Sequence, residues 1–254
     1  MHEAQVRLAA NEAMLFDGAL GNPPPPDWFD RGHWQARGRA QPAPGGRGGV
    51  LFVETPAGAC ALRHYHRGGL AARVSADRYL WTGADRTRAF REFRLLAHLV
   101  RSGLPVAAPV AARYVRDGLT YRADLLTRRI AVAQTLAERL AEGSLDPALG
   151  AKVGQAIARF HAAGVWHADL NAHNVLVDGS GGIRLIDFDR GRLRTPAARW
   201  RRANLARLHR SFEKLGAGAQ PAFEPAFWRP LLSAYGESLS RADAGVATTG
   251  SVRP

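Results

Sequence analysis

The segment from His167 to Asp189, HADLNAHNVLVDGSGGIRLIDFD, constrains the fold of this chain more than any other stretch. Within it, Asp169, Asn174 and Asp187 follow one another at steps of 5 and 13 residues. Two short apolar runs between Val175 and Ile186 flank the turn-forming sequence Asp-Gly-Ser-Gly-Gly, which predicts a β-hairpin. Such a hairpin would carry the last of the three polar residues back toward the loop that holds the other two.

This order of carboxylate, amide and carboxylate is typical of phosphoryl-transfer sites. Asp169 is predicted to accept the proton of an acceptor hydroxyl, and Asn174 and Asp187 to hold Mg²⁺ between nucleotide phosphates. Taken singly, each of the three could be a loop cap or a turn residue. Two neighbours favour the kinase-type site, because His167 precedes the first carboxylate by two places and Phe188 directly follows the second. We expect His167 to brace the loop rather than to act as a base.

The composition is that of a globular protein. With 254 residues, 46% of them hydrophobic, the chain can bury a large core in one domain or two closely joined lobes. The single cysteine, Cys60, excludes an internal disulfide and fits a reducing cytoplasm. Residues 1–20 do not resemble a signal peptide, and no apolar run reaches the ~20 residues that a membrane-spanning helix needs. We therefore expect a soluble or peripheral protein.

The charge of the chain is strongly positive, at +13 with a pI near 11.2. Of its 35 basic residues only Lys152 and Lys214 are lysines. Such a field attracts nucleic acid, anionic lipid surfaces or polyanionic substrates. No zinc-finger spacing, aromatic RNA-binding signature or basic-region heptad accompanies the charge, so nucleic acid is not expected as a partner. A membrane surface or an anionic glycolipid fits better beside a kinase core.

The chain is predicted to have four regions and an α+β fold. Residues 1–44 are expected to form an irregular N-terminal extension. Residues 45–130 are predicted to form a strand-rich lobe and residues 131–239 a helix-rich lobe, with nucleotide bound between them. Residues 240–254 are small and polar and are expected to be disordered.

Within these regions, apolar periodicity predicts the individual elements. Three aromatic residues of the extension, Trp28, Phe29 and Trp34, are expected to pin it to the body. Gly164 is predicted to stop the helix that precedes the His167 loop. The predicted elements are a hairpin over 50–54 and 60–65, a helix over 86–102, a strand pair over 106–114 and 120–126, and helices over 149–163 and 199–215.

A glycine-rich run, residues 45–49, stands directly before the first predicted hairpin. Its sequence is Gly-Gly-Arg-Gly-Gly, and glycines allow backbone N–H groups to approach a phosphate without interference from Cβ atoms. We therefore predict that Gly46 and Gly48 contact ATP.

The cation expected at the nucleotide phosphates is an arginine in this chain. Protein kinases carry a lysine on the corresponding strand, whereas the run here is Ala61-Leu62-Arg63. Arg63, paired with Glu92 on the first long helix, is the predicted substitute. Arg67 is a second candidate for the same role.

The residues after Asp187 indicate the kind of acceptor. The run is Asp-Phe-Asp, so Asp189 replaces the glycine of the usual Asp-Phe-Gly sequence, and no Ala-Pro-Glu segment follows. The chain instead enters a stretch rich in arginine. Because the segment that docks a peptide substrate is missing, a small-molecule or glycolipid acceptor is favoured.

The basic helix predicted over Arg199–Leu215 has two possible roles. Its apolar residues recur at helical spacing and its other face is basic, as in helices that lie on anionic membranes. It could equally be a helix that packs on the core with a solvated basic side, and both roles are compatible.

Several runs of this sequence resemble the lipopolysaccharide kinases, in particular the 3-deoxy-D-manno-octulosonic acid (Kdo) kinases. The resemblance spans about residues 34–215 and implies a protein-kinase-like bilobal fold. It also implies ATP-dependent phosphorylation of the 4-hydroxyl of Kdo on a lipid A precursor, at the cytoplasmic face of the bacterial inner membrane. Asp169 matches the catalytic aspartate of that family, and Arg63 and Asp189 match its own pattern. The runs are LRHY at 62–65, RGGL at 67–70, DRY at 77–79, RAFRE at 88–92, residues 105–113, YRADLL at 121–126 and HADLNAHN at 167–174.

An acceptor of this kind carries carboxylate and phosphate groups, which arginines bind bidentately. Five arginines after the first hairpin could meet these groups: Arg67, Arg73, Arg78, Arg86 and Arg88. Of these, Arg67, Arg73 and Arg78 are the predicted acceptor-binding residues. His173 could touch the acceptor or only close its loop, whereas Asn171 is expected to close the turn. A kinase for another sugar, such as a core heptose, or for an aminoglycoside-like molecule remains an alternative. So do a catalytically silent nucleotide-binding scaffold at the membrane and a nucleic-acid-binding module.

Overall fold

The computed structural model describes residues 1–43, 49–66 and 77–249. These residues form two compact units. The first unit consists of residues 1–103 and 107–129, and the second of residues 104–106 and the chain from residue 130 onward. The first is built on an antiparallel sheet and the second mainly on helices, which confirms the predicted α+β class.

The first unit contains one eight-stranded sheet. Its strands run in the order β1-β2-β7-β8-β5-β4-β3, with β6 paired to β8, and all pairs are antiparallel. Since β5 lies between β4 and β8, Arg63 stands inside the sheet, opposite Leu125 on β8. The strands are β1 (Glu3–Ala9), β2 (Glu12–Asp17), β3 (Ala40–Pro42), β4 (Val50–Thr55), β5 (Gly58–His64), β6 (Tyr79–Leu80), β7 (Pro109–Asp117) and β8 (Thr120–Arg128).

Among the described residues of this unit, two α-helices accompany the sheet, α1 (Arg31–Ala36) and α2 (Arg88–Arg101). The long helix α2 packs against β7 and β8 through a face that includes the fully buried Phe90 and Phe93. Glu92 is also buried on this helix, with an exposed fraction of only 3%. The predicted helix is therefore confirmed. A buried carboxylate such as that of Glu92 is costly unless it is paired or hydrogen-bonded.

The expectation of an irregular N-terminal extension is wrong. Residues 3–17 form the hairpin of β1 and β2, and β2 continues the sheet by pairing with β7. The two strands are joined by a tight turn at Ala10-Asn11, and Met14 and Leu15 of β2 are fully buried. The burial of β2 is nearly continuous, so its sequence lacks the alternation by which a half-buried strand is recognised.

The three aromatic residues predicted to pin the N-terminal region do so. Trp28, Phe29 and Trp34 belong to the buried cluster of the first unit, together with Leu51 and Leu62 of the central hairpin. The indole N–H of Trp34 donates to the carbonyl oxygen of Trp28 at 2.8 Å, which satisfies its only polar atom.

The described part of the second unit contains four α-helices and two small sheets. β9, β11 and β12 form an antiparallel sheet in the order β12-β11-β9, and β10 pairs with β13. The elements are β9 (Gln134–Thr135), α3 (Leu136–Ala141), α4 (Pro147–Ala162), β10 (Val165–Trp166), β11 (Val175–Val177), β12 (Ile183–Leu185), β13 (Arg192–Leu193), α5 (Ala198–Lys214) and α6 (Arg229–Thr249), with a π-helical turn at Glu224–Trp228 before α6.

The helices α4 and α6 pack at close range because α4 carries two glycines one turn apart. A Cβ atom on Gly154 would lie 2.1 Å from the carbonyl oxygen of Leu231, and one on Gly150 would lie 2.4 Å from that of Phe227. The contacting atoms belong to the backbone, so they cannot move aside as the end of a side chain could. The absence of side chains at these two positions is what permits the packing.

The expectation of a disordered C-terminal tail is also wrong for residues 240–249, which continue α6 to Thr249. Leu231, Ala234 and Tyr235 are buried along the first half of this helix, and the alanine-rich continuation prolongs it. Residues 250–254 lie outside the described part of the chain.

Candidate active site

The loop that carries Asp169 begins with a sharp turn at Gly164. This residue has a φ of +72°, and a Cβ atom there would lie 2.3 Å from the carbonyl oxygen of Arg194. Only glycine fits both the left-handed conformation and the close approach. The predicted helix stop is therefore confirmed, and the turn directs the chain through β10 to His167.

His167 connects the loop to the end of β12. Its Nδ1 accepts a hydrogen bond from the backbone N–H of Asp169 at 3.1 Å, and its Nε2 lies 2.9 Å from the carbonyl oxygen of Ile186. Both contacts suit a neutral ring protonated at Nε2. Burial lowers the pKa of His167, which favours the neutral form. The ring is thus a brace, as predicted.

The loop itself is closed by Asn171 and Asn174. The side-chain oxygen of Asn171 accepts from the backbone N–H groups of His173 at 2.9 Å and Asn174 at 3.1 Å. The side-chain NH₂ of Asn174 donates to the carbonyl oxygen of Asp169 at 2.9 Å, which leaves its amide oxygen available to a ligand. Asn171 is a turn residue, as expected, and the side-chain amide of Asn174 is oriented by its bond to the loop backbone.

The predicted hairpin brings Asp187 to the same loop. β11 and β12 pair in antiparallel register, and the backbone N–H of Ile186 donates to the carbonyl oxygen of Asn174 at 3.1 Å. Asp187 then adopts a φ of 60°, a left-handed conformation that is uncommon for a residue with a side chain. Phe188 is buried, and its ring lies 4.8 Å from that of His167. Asn174 and the residue before Asp187 are therefore hydrogen-bonded neighbours.

The turn of this hairpin is organised by Asp178. Its Oδ1 accepts from the backbone N–H groups of Ser180 and Gly182, at 3.0 and 2.9 Å, and its Oδ2 accepts from Arg184. The Ser180 hydroxyl and the Arg184 guanidinium hold the pKa of this carboxyl well below its usual range. The turn residues read from the sequence are thus the ones that fix the hairpin.

Asp189 lies in a second tight turn, which is closed by the Gly191 N–H donating to the carbonyl oxygen of Phe188 at 2.7 Å. Arg190, inside this turn, has a φ of 60°. The turn leads into the short strand β13, which pairs with β10.

Helix α5 anchors the loop from outside, a role that the sequence did not predict. Asn204 is buried; it accepts from the backbone N–H of His167 at 3.2 Å and donates to the His167 carbonyl oxygen at 2.9 Å. The Ser211 hydroxyl accepts from the N–H of Ala172 at 2.9 Å. Between them, Arg207 donates to Oδ1 of Asp169 from both Nε, at 2.9 Å, and Nη2. The sequence does contain a pattern that could have indicated this role, because the spacing of residues 204, 207 and 211 puts three polar side chains on one helix face.

In the first unit, Arg63 and Glu92 form the predicted ion pair. Oε2 of Glu92 also accepts from the Tyr65 hydroxyl at 2.6 Å, and Arg63 donates to that hydroxyl at 3.1 Å. The guanidinium lies over the Tyr65 ring, 4.6 Å from its centroid. Burial raises the pKa of Tyr65 well above its usual range, so this hydroxyl stays protonated.

The predicted acceptor-binding residues are only partly described. Arg78 is exposed and forms an ion pair with Asp117 at 2.5 Å, while His173 is exposed at the rim of its loop. Arg67 and Arg73, and the predicted ATP-binding Gly46 and Gly48, lie outside the described residues.

The chemistry of Asn174 and Asp187 fits a magnesium ion. Among the described residues no group of three or more His, Cys, Asp or Glu side chains could hold a metal by itself. Mg²⁺, however, is usually bound by one or two protein oxygens with nucleotide phosphates completing its shell. One amide oxygen and one carboxylate are a suitable donor set for that mode of binding.

Across residues 1–43, 49–66 and 77–249, the helices are all too short or too polar to span a lipid bilayer.

The family match and the similar proteins found for this chain agree with each other. Residues 31–235 match the model of the family described as "Lipopolysaccharide kinase (Kdo/WaaP) family". A 3-deoxy-D-manno-octulosonic acid kinase of Xanthomonas axonopodis pv. citri is 54% identical over 203 residues, which cover 80% of this chain and 81% of that protein. The protein of the same name from Stenotrophomonas maltophilia strain R551-3 is 52% identical over 204 residues, with the same coverage. One from Xanthomonas oryzae pv. oryzae is 52% identical over 210 residues, or 82% of this chain and 78% of that protein.

Proposed function

Because the chain belongs to the lipopolysaccharide kinase (Kdo/WaaP) family, we propose that it transfers the γ-phosphoryl group of ATP to the 4-hydroxyl of Kdo on a Kdo–lipid A precursor. The observation that carries the proposal is the joining of the Asp169 loop to the end of β12. His167 hydrogen-bonds to the backbone of Asp169 and Ile186, so the predicted base and the residue before Asp187 share one brace. Relatives that are 52–54% identical carry the name of this activity.

In the proposed reaction Asp169 is the residue that meets the acceptor. Its carboxylate accepts a hydrogen bond from the Kdo hydroxyl, orients that oxygen toward the γ-phosphorus and takes up the proton as the new P–O bond forms. The bond from the γ-phosphorus to the bridging oxygen breaks, and ADP leaves with the electron pair. The side chain is about half exposed, which suits a group that must reach a bulky substrate.

Asn174 and Asp187 are the proposed magnesium ligands. When bound, the ion would neutralise the charge that develops on the phosphate oxygens. The side-chain amide of Asn174 is oriented by its bond to the Asp169 carbonyl oxygen, and the backbone next to Asp187 is fixed by the bond from the Ile186 N–H to the Asn174 carbonyl oxygen.

The remaining assignments concern substrate binding. We assign Arg63, held by Glu92, to the ATP phosphates, with Gly46 and Gly48 contributing backbone N–H groups. Arg78 is assigned to the anionic groups of the acceptor. Arg67, Arg73 and His173 are assigned to the same acceptor.

The proposal includes a protein-kinase-like bilobal fold and a peripheral position at the cytoplasmic face of the inner membrane. The net charge of +13 supports the position, because the acceptor lies in an anionic bilayer. The exposed basic residues of α5 also support a position at the membrane: Arg199, Arg202, Arg210 and Lys214.

The test is incubation of the purified protein with Mg-ATP and a Kdo–lipid A precursor, followed by mass spectrometry and fragmentation of the product. We expect one added phosphate on the Kdo unit, at the 4-position. Lipid A precursor without Kdo and a heptose-containing core fragment are the comparison acceptors. Phosphate on the heptose, or equal transfer to lipid A without Kdo, would contradict the proposed specificity.

A further inference from the structure

The Asp169 loop contains no lysine or arginine. Its sequence from Asp169 to Asn174 is DLNAHN, so His173 is its only basic residue, and that side chain is exposed. A carboxylate that must orient a hydroxyl next to an ATP phosphate must itself be held in one rotational position, which requires a second group that binds it. The loop does not provide such a group.

Arg207 on α5 fills this gap. In the part of the chain that the structure describes, Arg207 supplies every side-chain hydrogen bond made to the Asp169 carboxylate. Both donors, Nε and Nη2, bind the same oxygen, Oδ1. Two donors on one oxygen restrict rotation of the carboxylate. No described residue donates to Oδ2, which can therefore accept from a hydroxyl.

The position of the guanidinium is itself fixed. Asn204, almost one turn before Arg207, binds the backbone of His167, and Ser211, one turn after it, binds the N–H of Ala172. Leu208, next to Arg207, is fully buried. The helix is therefore attached to the loop on both sides of Arg207, and the arginine cannot shift along the loop without breaking these contacts.

The ion pair contributes little to folding. The side chains of Arg207 and Asp169 are 48% and 49% exposed, and ion pairs at that exposure are largely screened by solvent. The pair adds little to the stability of the fold, yet helix α5 places it at the proposed base. We therefore expect its role to lie in the reaction.

We infer that Arg207 is a positioning residue for phosphoryl transfer, which holds Oδ1 of Asp169 and so presents Oδ2 to the acceptor hydroxyl. The inference rests on the proposed function. The alternative roles for the same contact are a latch that blocks Asp169 until substrate arrives, and a direct binding site for an anionic group of the acceptor.

The test compares Arg207→Met, Arg207→Lys and the control Arg229→Met, which removes another exposed arginine at the start of α6. With Mg-ATP and Kdo–lipid A precursor, we expect kcat of Arg207→Met to fall roughly tenfold to hundredfold, the range expected when a reacting group is misplaced by about 1 Å. The KM values for ATP and acceptor should change less than about twofold. Arg207→Lys, which keeps the charge but lacks the planar two-donor fork, should recover part of the loss.

Other outcomes overturn the inference. An increase in kcat of Arg207→Met identifies a latch, and a raised acceptor KM with unchanged kcat identifies a binding residue. A loss of activity no larger than that of Arg229→Met shows that Arg207 has no specific role in the reaction. A large fall in melting temperature together with the loss of activity identifies a structural role. If the wild-type protein itself does not phosphorylate Kdo, the proposed function fails first, and the variants are then compared on the acceptor that the wild type does use. On that acceptor, a kcat of Arg207→Met equal to that of the wild type overturns the inference independently.

Discussion

Asn204 binds both backbone polar groups of His167, accepting from its N–H at 3.2 Å and donating to its carbonyl oxygen at 2.9 Å. The asparagine side chain is buried, and it satisfies two groups that would otherwise be costly to remove from water. The residue that starts the Asp169 loop is thus held by one 37 positions later in the chain. Helix α5 has a structural role at the site, in addition to the basic surface that it presents.

Replacing the proposed base should abolish most of the activity without unfolding the protein. Asp169→Asn keeps the size of the side chain and removes its ability to take up a proton. We expect phosphate transfer to fall by about 10²–10⁴, the usual contribution of a positioned general base. The measurement is the initial rate with Mg-ATP and Kdo–lipid A precursor, alongside a thermal unfolding curve. Unaltered phosphate transfer in this variant would exclude Asp169 as the base.

The Arg63–Glu92 pair should behave as a coupled unit in stability measurements. Glu92 is 3% exposed, so Arg63→Met would take the arginine away from a buried carboxylate. We expect a loss of about 3–5 kcal/mol in the free energy of unfolding, measured by urea titration without nucleotide. The double variant with Glu92→Leu should be less destabilised than the sum of the single changes predicts. Additive effects would argue that the pair is not coupled.

The close contact between α4 and α6 predicts opposite outcomes for two glycines. Gly154→Ala should destabilise the protein by about 1–3 kcal/mol or more, because its Cβ would lie 2.1 Å from the carbonyl oxygen of Leu231. Gly236→Ala, within α6, places its Cβ in open space and should be neutral or stabilising by up to about 1 kcal/mol. Chemical denaturation of both variants provides the comparison. Equal effects would contradict the packing described for these helices.

His161 predicts how stability depends on pH. It is buried on α4, with Nδ1 3.0 Å from the hydroxyl of Tyr235, and burial lowers its pKa from 6.5 to about 4. The unfolded chain therefore binds one proton more than the folded chain between these values. The stabilising contribution is complete above pH 6.5 and is lost as the pH falls toward 4. At roughly 1.4 kcal/mol per pKa unit, the loss amounts to about 3 kcal/mol.

The measurement for His161 is the free energy of unfolding at several pH values between 7.5 and 4, for the wild type and for His161→Gln. We expect the variant to have a shallower dependence on pH, since Gln does not titrate. His98→Gln, at an exposed position of α2, serves as the matched control and should keep the wild-type slope. If His161→Gln keeps the wild-type slope as well, the buried histidine does not cause the pH dependence of the free energy of unfolding.

The short elements β6, β9, α3, β10 and β13 were not predicted from the sequence. The longer elements between residues 50 and 215 were predicted, with bounds that differ from the structure by a few residues at most. Their patterns are local: the helix predicted over 149–163 is α4 at Pro147–Ala162, and the hairpin over 175–186 is β11 and β12. β1 and β2 were missed because their recognition depends on pairing with β7, which lies some 100 residues away. The last part of α6, up to Thr249, was missed because composition alone does not show that the first half of this helix is buried at residues such as Leu231.

The sequence by itself determined which residues can carry phosphoryl-transfer chemistry, since the types and spacing of Asp169, Asn174 and Asp187 are local properties of one segment. It also determined the family, because that segment and several others match. Only the tertiary structure decided what holds these residues. The contacts of Asn204 and Arg207 with the loop join residues 37 and 38 positions apart, and such contacts arise from how helices pack rather than from any local pattern.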